Sequence, residues 1–425
     1  MNKYSQLIKK AKTFFDANQF ESAHNCILNV LNNYELDLKT KSNLYLLLAD
    51  INTKLNNFKD TNIYLLKYLK INSKNSKIYN SIANNYLRMR EYSKAKEYYL
   101  NAINLNKDNE AAIINLAILL ENLGKKKEAL KYYDKAIKID PKNLSVLYNM
   151  NKLEKKTLNK DQTDLIKNYI KSNDQDFFNI ASGYFLLAEN EIGKDNIKSE
   201  VSFLQKANGY SFKSKERINE QALNYWLNII PKKFDNFTYV KKSKNLIEEK
   251  KFNPIFIVGL PRSGSTITET IISSDKNHIT ALGETNLVNW SLINTHRKIL
   301  YSNTQKVELN LDLIHNKLIN SYKNLNIYEK NNHIRFVDKS LENFFYIDLI
   351  LKIFPNAKFI HTHRNLQDNI FSIYKEFLNK ISWSHSLDNI FFYIDNYLKV
   401  IRKTKEKHFD KIISVSLEEL TINPK

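Results

Sequence analysis

The sequence is short of several things that whole classes of protein require. Of its 425 residues a single one, Cys26, is cysteine. That excludes an internal disulfide framework and a cysteine metal site, and it fits a reducing compartment. No stretch reads as long and apolar enough to span a membrane, and the opening "MNKYSQLIKKAKTFF" has neither a continuous apolar core nor a small-residue cleavage site. A soluble, cytoplasmic protein is the expectation. Acidic residues are also outnumbered, 45 against 65 basic ones, leaving a formal net charge of +20. Such a balance invites a nucleic-acid partner. The visible wealth of Lys, Asn and Ile, favoured by AT-rich coding sequence, explains it as composition, and no nucleic-acid partner is expected.

What is present is enough to fold. Hydrophobic residues make up 43% and aromatics 12%, and the length asks for two domains of ordinary size. Two segments, starting at Ser76 and Glu110, superimpose at a shift of 34 residues: Ala83 falls on Ala117, Ala95 on Ala129, Tyr99 on Tyr133 and Ala102 on Ala136. Small residues recur where helices must approach, aromatic ones where they fill the gap, and Pro141 punctuates a repeat. This pattern resembles the tetratricopeptide repeat. Weaker copies carry Ala11, Ala23, Ala49 and Phe58, and "ASGYFLLAENEIGKDNIKSEVSFLQKAN", with Ala188 and Ala207, reads as one more helical pair. The expectation is an all-α solenoid over 1–215, because such units bury their apolar faces only against neighbours. The resemblance implies a groove for a peptide or partner protein; the alternative is a scaffold for the following domain or its homodimer. Residues 216–253, with "INEQALNYWLNII" interrupted at Pro231, are expected to be a helical linker.

The chemistry concentrates after residue 253. "PIFIVGL" (Pro254 to Leu260) predicts a strand buried on both faces of a parallel sheet. The turn "PRSGS" and a helix follow at once, gathering unpaired N–H groups and the positive end of a helix dipole into an oxyanion site. Against the phosphate-loop pattern, Gly259, Gly264 and Thr266 fit, but Ser265 stands where the lysine belongs. A triphosphate with magnesium loses its central cation. Arg262 and the hydroxyls of Ser263, Ser265 and Thr266 suit a less charged phosphoanhydride held without metal.

"PRSGST" resembles the 5′-phosphosulfate loop of sulfotransferases that use 3′-phosphoadenosine-5′-phosphosulfate, and is most similar to tyrosylprotein sulfotransferases and their bacterial relatives carrying tetratricopeptide repeats. The resemblance implies an N-terminal repeat solenoid followed by an α/β, P-loop-like sulfotransferase domain over 254–425 with a central parallel sheet. It assigns donor contacts to Arg262, Ser263, Gly264, Ser265 and Thr266. A second family signature, an arginine at a strand end and a serine eight residues on, is matched by Arg364 and Ser372 in "AKFIHTHRNLQDNIFSIYKEF", and is expected to take the 3′-phosphate. Gly283-Glu284 in "ITALGETNLV" implies Glu284 as the base for an acceptor hydroxyl; Lys339 in "IRFVDKSLENFF" implies the cation that meets charge on the departing phosphate.

Of the histidines considered, His278, His361 and His363, the last two alternate along the expected strand, where His363 could line the nucleotide site. None has carboxylate or thiolate neighbours at metal-ligand spacing, so no metal is expected. The final "IISVSLEELTINPK" resembles the family's late strand and acidic turn. Relatives continue with helices that complete the pocket, so this domain is expected to be C-terminally truncated or closed differently. The resemblance therefore implies transfer to a hydroxyl acceptor, protein tyrosine among the candidates. A repeat scaffold whose transferase domain binds nucleotide but works weakly or not at all is the alternative.

Overall fold

Small residues let helices approach, and the alanines of the 34-residue period sit at such contacts. Helices Ser76–Arg88 and Tyr92–Leu105 make one repeat, Glu110–Asn122 and Lys126–Ile139 the next. Ala83, Ala95, Ala102, Ala117, Ala129 and Ala136 are fully buried. Tyr99 and Tyr133 fill the gaps and keep their hydroxyls bonded, to Asn84 Oδ1 (2.6 Å) and Glu121 Oε2 (2.7 Å). Each turn within a pair passes through a left-handed residue at the same place: Asn56 (φ 56°), Arg90 (φ 63°) and Gly124 (φ 73°). First helices are started by Asp37, Asn75 and Asn109, whose side chains accept from backbone N–H groups in the first turn. Helices Lys3–Asp16 to Phe58–Ile71 extend the array, with Ala11, Ala23 and Ala49 buried in the same manner.

The structure, a computed structural model, describes every residue except 1–2, 173–174, 193, 195, 241–250, 275–278, 326, 328, 331–332 and 424–425. Two compact units are distinguished: Met1–Glu154 with Lys323–Asn326, and Lys155–Tyr322 with Ile327–Lys425. The helical run expected over 1–215 thus falls across both. Helices Phe177–Ile192 and Ile197–Lys213 pair with each other but belong to the second unit. Asn208 Nδ2 donates to Tyr374 O (3.0 Å), Lys375 Nζ meets Glu200 Oε1 at 2.6 Å, and Phe377 packs on Phe178 and Phe185 (5.2 and 4.8 Å between ring centroids).

Pro231 does not interrupt the helix it stands in. Helix Glu216–Asn224 runs into a π-turn, Tyr225–Ile229, and on through Ile230–Lys233. The Ile230 N–H bonds Tyr225 O, five residues back, and this wider turn makes room for a residue without an N–H. The segment is packed: Tyr225 OH donates to Asn289 Oδ1 (2.6 Å), and Lys233 Nζ donates to the carbonyls of Ile299, Ser302 and Thr304.

The site is carried by a parallel sheet in the order β3 (Thr280–Ala281), β6 (His333–Asp338), β2 (Phe252–Gly259), β7 (Lys358–His363), β8 (Ile412–Ser416), with β5 (Glu329–Lys330) antiparallel to β6. Separately, β1 (Phe237–Val240) pairs in parallel with β4 (Val307–Asn310). Central β2 is covered on both faces. Phe256 packs with Phe336, Phe354 and Phe359 on one, and Ile257 clusters with Val337 and Leu341 on the other. Each such ring contributes roughly 1.5–3 kcal/mol by burial, which holds the strand ends where the loops need them.

Candidate active site

Strand β2 ends at Gly259, and helix Ser265–Ile272 starts six residues later. The loop between them is fixed by its neighbours. A Cβ on Gly259 (φ 148°) would lie 2.3 Å from Thr362 O, so only glycine lets β2 and β7 converge here. Gly264 (φ 88°) caps the helix in left-handed conformation against Leu417. Ser263 is buried, and its hydroxyl donates to Leu260 O (2.7 Å) and lies 2.9 Å from Thr362 Oγ1. It therefore shapes the loop, and its hydroxyl is not turned outward. Asn369, buried on the helix after β7, donates to Pro261 O (2.8 Å). Ser265, buried, and Thr266, exposed as a residue, open the helix.

Lys339 follows β6 and reaches this helix start. Its ammonium, 10% exposed as a side chain, donates to Thr266 Oγ1 (3.1 Å), and lies 3.4 Å from Glu284 Oε1 and 3.8 Å from Glu269 Oε2. Glu284 itself is 60% exposed and open to an incoming molecule. The Gly283-Glu284 segment is held by two main-chain bonds, Leu282 N to Val337 O and Lys339 N to Gly283 O, and by the Gly283 N–H donating to the Glu269 carboxylate at Oε1 (2.7 Å). Beneath it lies Asp338, fully buried, accepting from Thr285 Oγ1, Tyr322 OH, and the Ser340 N–H and hydroxyl. Burial pushes the Asp338 carboxyl up, although these four donors pull the other way. Glu342, on the 3-10 turn Leu341–Tyr346, has its pKa raised to about 7 by burial, with the charge of Glu284 adding to the effect.

On the other side of the loop, Arg262 (φ 67°) donates from Nε to Ser372 Oγ (3.2 Å), and its Nη2 lies 3.3 Å from Glu376 Oε2. Ser372 is thus brought to the loop arginine. Arg364, 28% exposed, stands at the end of β7 with Asp368 Oδ2 4.0 Å away. Glu418, after β8, accepts from Asn365 N (2.9 Å) and from Ser416 Oγ, and the Asn365 N–H leads in holding its carboxyl below the usual range. Beside Arg364 a cavity of about 420 Å³ opens towards helix Leu387–Lys407, with His363, Tyr397, Arg402 and Lys405 in its walls. His361 also lines it, its Nε2 2.5 Å from Tyr397 OH and its pKa brought down to about 3 by burial, Lys405 and His363. His278 lies outside the described residues.

Glu269, Thr362, Asn369 and Glu376 carry no mark in the sequence pattern. Glu269 lies on the loop's own helix but finds Gly283 and Lys339 only through the fold, and Thr362, Asn369 and Glu376 meet the loop across about a hundred residues, which no local spacing encodes. Asp338 adjoins Lys339 in sequence, but its burial could be seen only in the fold. Together the cluster can hold an anion at a helix start, place a lysine beside it, and offer a carboxylate to a hydroxyl.

Residues 254–425 match the model of the sulfotransferase family, and residues 76–109 and 111–143 match tetratricopeptide repeats. The chain therefore joins tetratricopeptide repeats to a sulfotransferase-family domain with a parallel sheet. A curated relative, an uncharacterized protein of Aquifex aeolicus, is 36% identical over 130 residues, which is 29% of this chain and 17% of that protein's length. Among solved structures, a tetratricopeptide repeat protein from Parabacteroides merdae is 17% identical, covering 51% of this chain and 96% of its own, with a TM-score of 0.34. MamA is 16% identical over 48% of this chain and 96% of its own, with a TM-score of 0.30. No helix among the described residues is long and apolar enough to cross a membrane.

Proposed function

We propose that the chain transfers the sulfuryl group of 3′-phosphoadenosine-5′-phosphosulfate to a hydroxyl acceptor, without a metal. The observation that carries the reading is Lys339, whose ammonium touches both the anion loop at Thr266 and the exposed carboxylate of Glu284. A donor loop, a cation and a base meet at one point. The residues fit a phosphosulfate: N–H groups open at the helix start, Arg262 and Lys339 flank it, and Arg364 stands apart for a second phosphate.

The donor supplies a sulfuryl group activated by its anhydride link to phosphate. Glu284 takes the acceptor's hydroxyl proton as the new sulfur–oxygen bond forms and the old one breaks. Lys339 and Arg262 meet the negative charge left on the bridging oxygen. Arg364 and Ser372 hold the 3′-phosphate, and the backbone at Ser263 to Thr266 holds the 5′ end. A tyrosyl peptide is the acceptor class closest by the family resemblance, and the repeat array offers a separate groove for a peptide. The partly exposed amides of Asn80, Asn84 and Asn115, linked across successive repeats at 3.1 and 3.3 Å, are suited to hold peptide backbone.

The test is incubation with radiolabelled phosphosulfate donor, without added metal, against tyrosyl peptides, glycans and small phenols. Transfer that disappears in Glu284→Ala and Arg262→Ala is expected. Donor binding without transfer to any acceptor would refute the enzyme and leave a repeat scaffold.

A further inference from the structure

The helix carrying Ser372 ends in an electrostatic oddity. Glu376 is the C-cap of helix Leu366–Lys375. A carboxylate is disfavoured at that end, where the helix dipole is negative. Its neighbours on both sides hold this stretch of backbone in place. Tyr374 O is bonded to Asn208, Lys375 is paired to Glu200 at 2.6 Å, and Phe377 is packed on Phe178 and Phe185. Glu376, 17% exposed as a side chain, is thereby aimed at the anion loop, where its Oε2 lies 3.3 Å from Arg262 Nη2.

We propose that Glu376 is a built-in counter-anion of the donor site: it occupies half of the Arg262 fork in the free protein and opposes the nucleotide, hastening release of the bisphosphate product. The inference rests on the phosphosulfate reading above. Arginine binds phosphate best through two parallel N–H groups. With Nε on Ser372 and Nη2 on Glu376, that fork is already engaged. An entering phosphate must displace the carboxylate or share the cation with it, and either way its affinity falls. The helical pair 177–213 acquires a role, because it fixes the residues on both sides of Glu376.

If Glu376 merely positioned Arg262, removing its charge would weaken nucleotide binding; as a counter-anion, removing it tightens binding. Structural damage does not produce a gain in affinity, so the sign separates the two. The experiment is calorimetric titration of the full chain with adenosine 3′,5′-bisphosphate, comparing the wild type with Glu376→Gln, Glu376→Asp and Arg262→Ala, the last with and without Glu376→Gln. Glu376→Gln should bind about tenfold tighter, the effect of one charge several ångströms from phosphate at a dielectric between protein and water. Glu376→Asp should stay within about threefold of the wild type, and the gain should vanish in the Arg262→Ala background. Equal or weaker binding by Glu376→Gln, with the wild type binding normally, overturns the proposal alone. Absence of binding in the wild type and every variant overturns the donor reading and this proposal with it.

Discussion

Lys339 offers the sharpest test of the site, because its role in transfer and its role in packing can be separated. Lys339→Met keeps most of the buried stem and removes the ammonium that lies 3.1 Å from Thr266 Oγ1 and 3.4 Å from Glu284 Oε1. A unit charge about 5 Å from the departing oxygen, at an effective dielectric near 20, is worth about 3 kcal/mol. That corresponds to a loss of roughly 10²–10³ in kcat, the range seen when one preorganised transition-state contact is deleted. Pairing with Glu284, 60% exposed, contributes only about 0–1 kcal/mol, but Glu269, 12% exposed and 3.8 Å away, also loses its cation, so some loss of stability is expected from that side. The assay is single-turnover transfer at saturating donor and acceptor, with thermal unfolding as the control. A kcat within about fivefold of the wild type, in a protein still folded at the assay temperature, would refute the assignment of Lys339 to the departing charge.

Three other outcomes follow from the packing and the charges. Gly259→Ala should cost more than about 2 kcal/mol and abolish nucleotide binding, because its Cβ would lie 2.3 Å from Thr362 O; calorimetric unfolding checks it. Glu342 has its pKa raised from 4.5 to about 7, so the folded state holds a proton that the unfolded state has lost. Its contribution to stability is therefore present below about pH 4.5 and lost as pH rises towards 7. Glu342→Gln should melt like the wild type at pH 4 and higher than it at pH 8, and an equal difference at both would contradict this. In the repeat array, Ala117→Leu overfills a fully buried helix crossing and should destabilise that unit by about 1–3 kcal/mol in a denaturant titration.

The repeat period, the loop and the buried strand that leads it were legible in the sequence because each is local. Helices pack on their chain neighbours, so alanines 34 residues apart mark the same contact, and a strand, a turn and a helix start follow one another without interruption. The same locality marks the pairing of helices Phe177–Ile192 and Ile197–Lys213 and goes no further. Ala188 and Ala207 are buried as in a repeat, yet the pair packs on Tyr374, Lys375 and Phe377 in the second unit. Small residues signal that two helices approach each other, and say nothing of what covers the pair.

Sequence by itself determined that an anion loop without the phosphate-loop lysine follows a buried strand, and the resemblance it carries singles out Arg262, Glu284, Lys339, Arg364 and Ser372. The tertiary structure alone decided how they combine. It set Lys339 between Thr266 and Glu284, turned the Ser263 hydroxyl inward to Thr362, and joined Ser372 to Arg262 across 110 residues of chain. It also brought Glu376 to the same arginine. The reason is physical: a side chain's type is local, but its partner is chosen by which strand ends the sheet order places side by side.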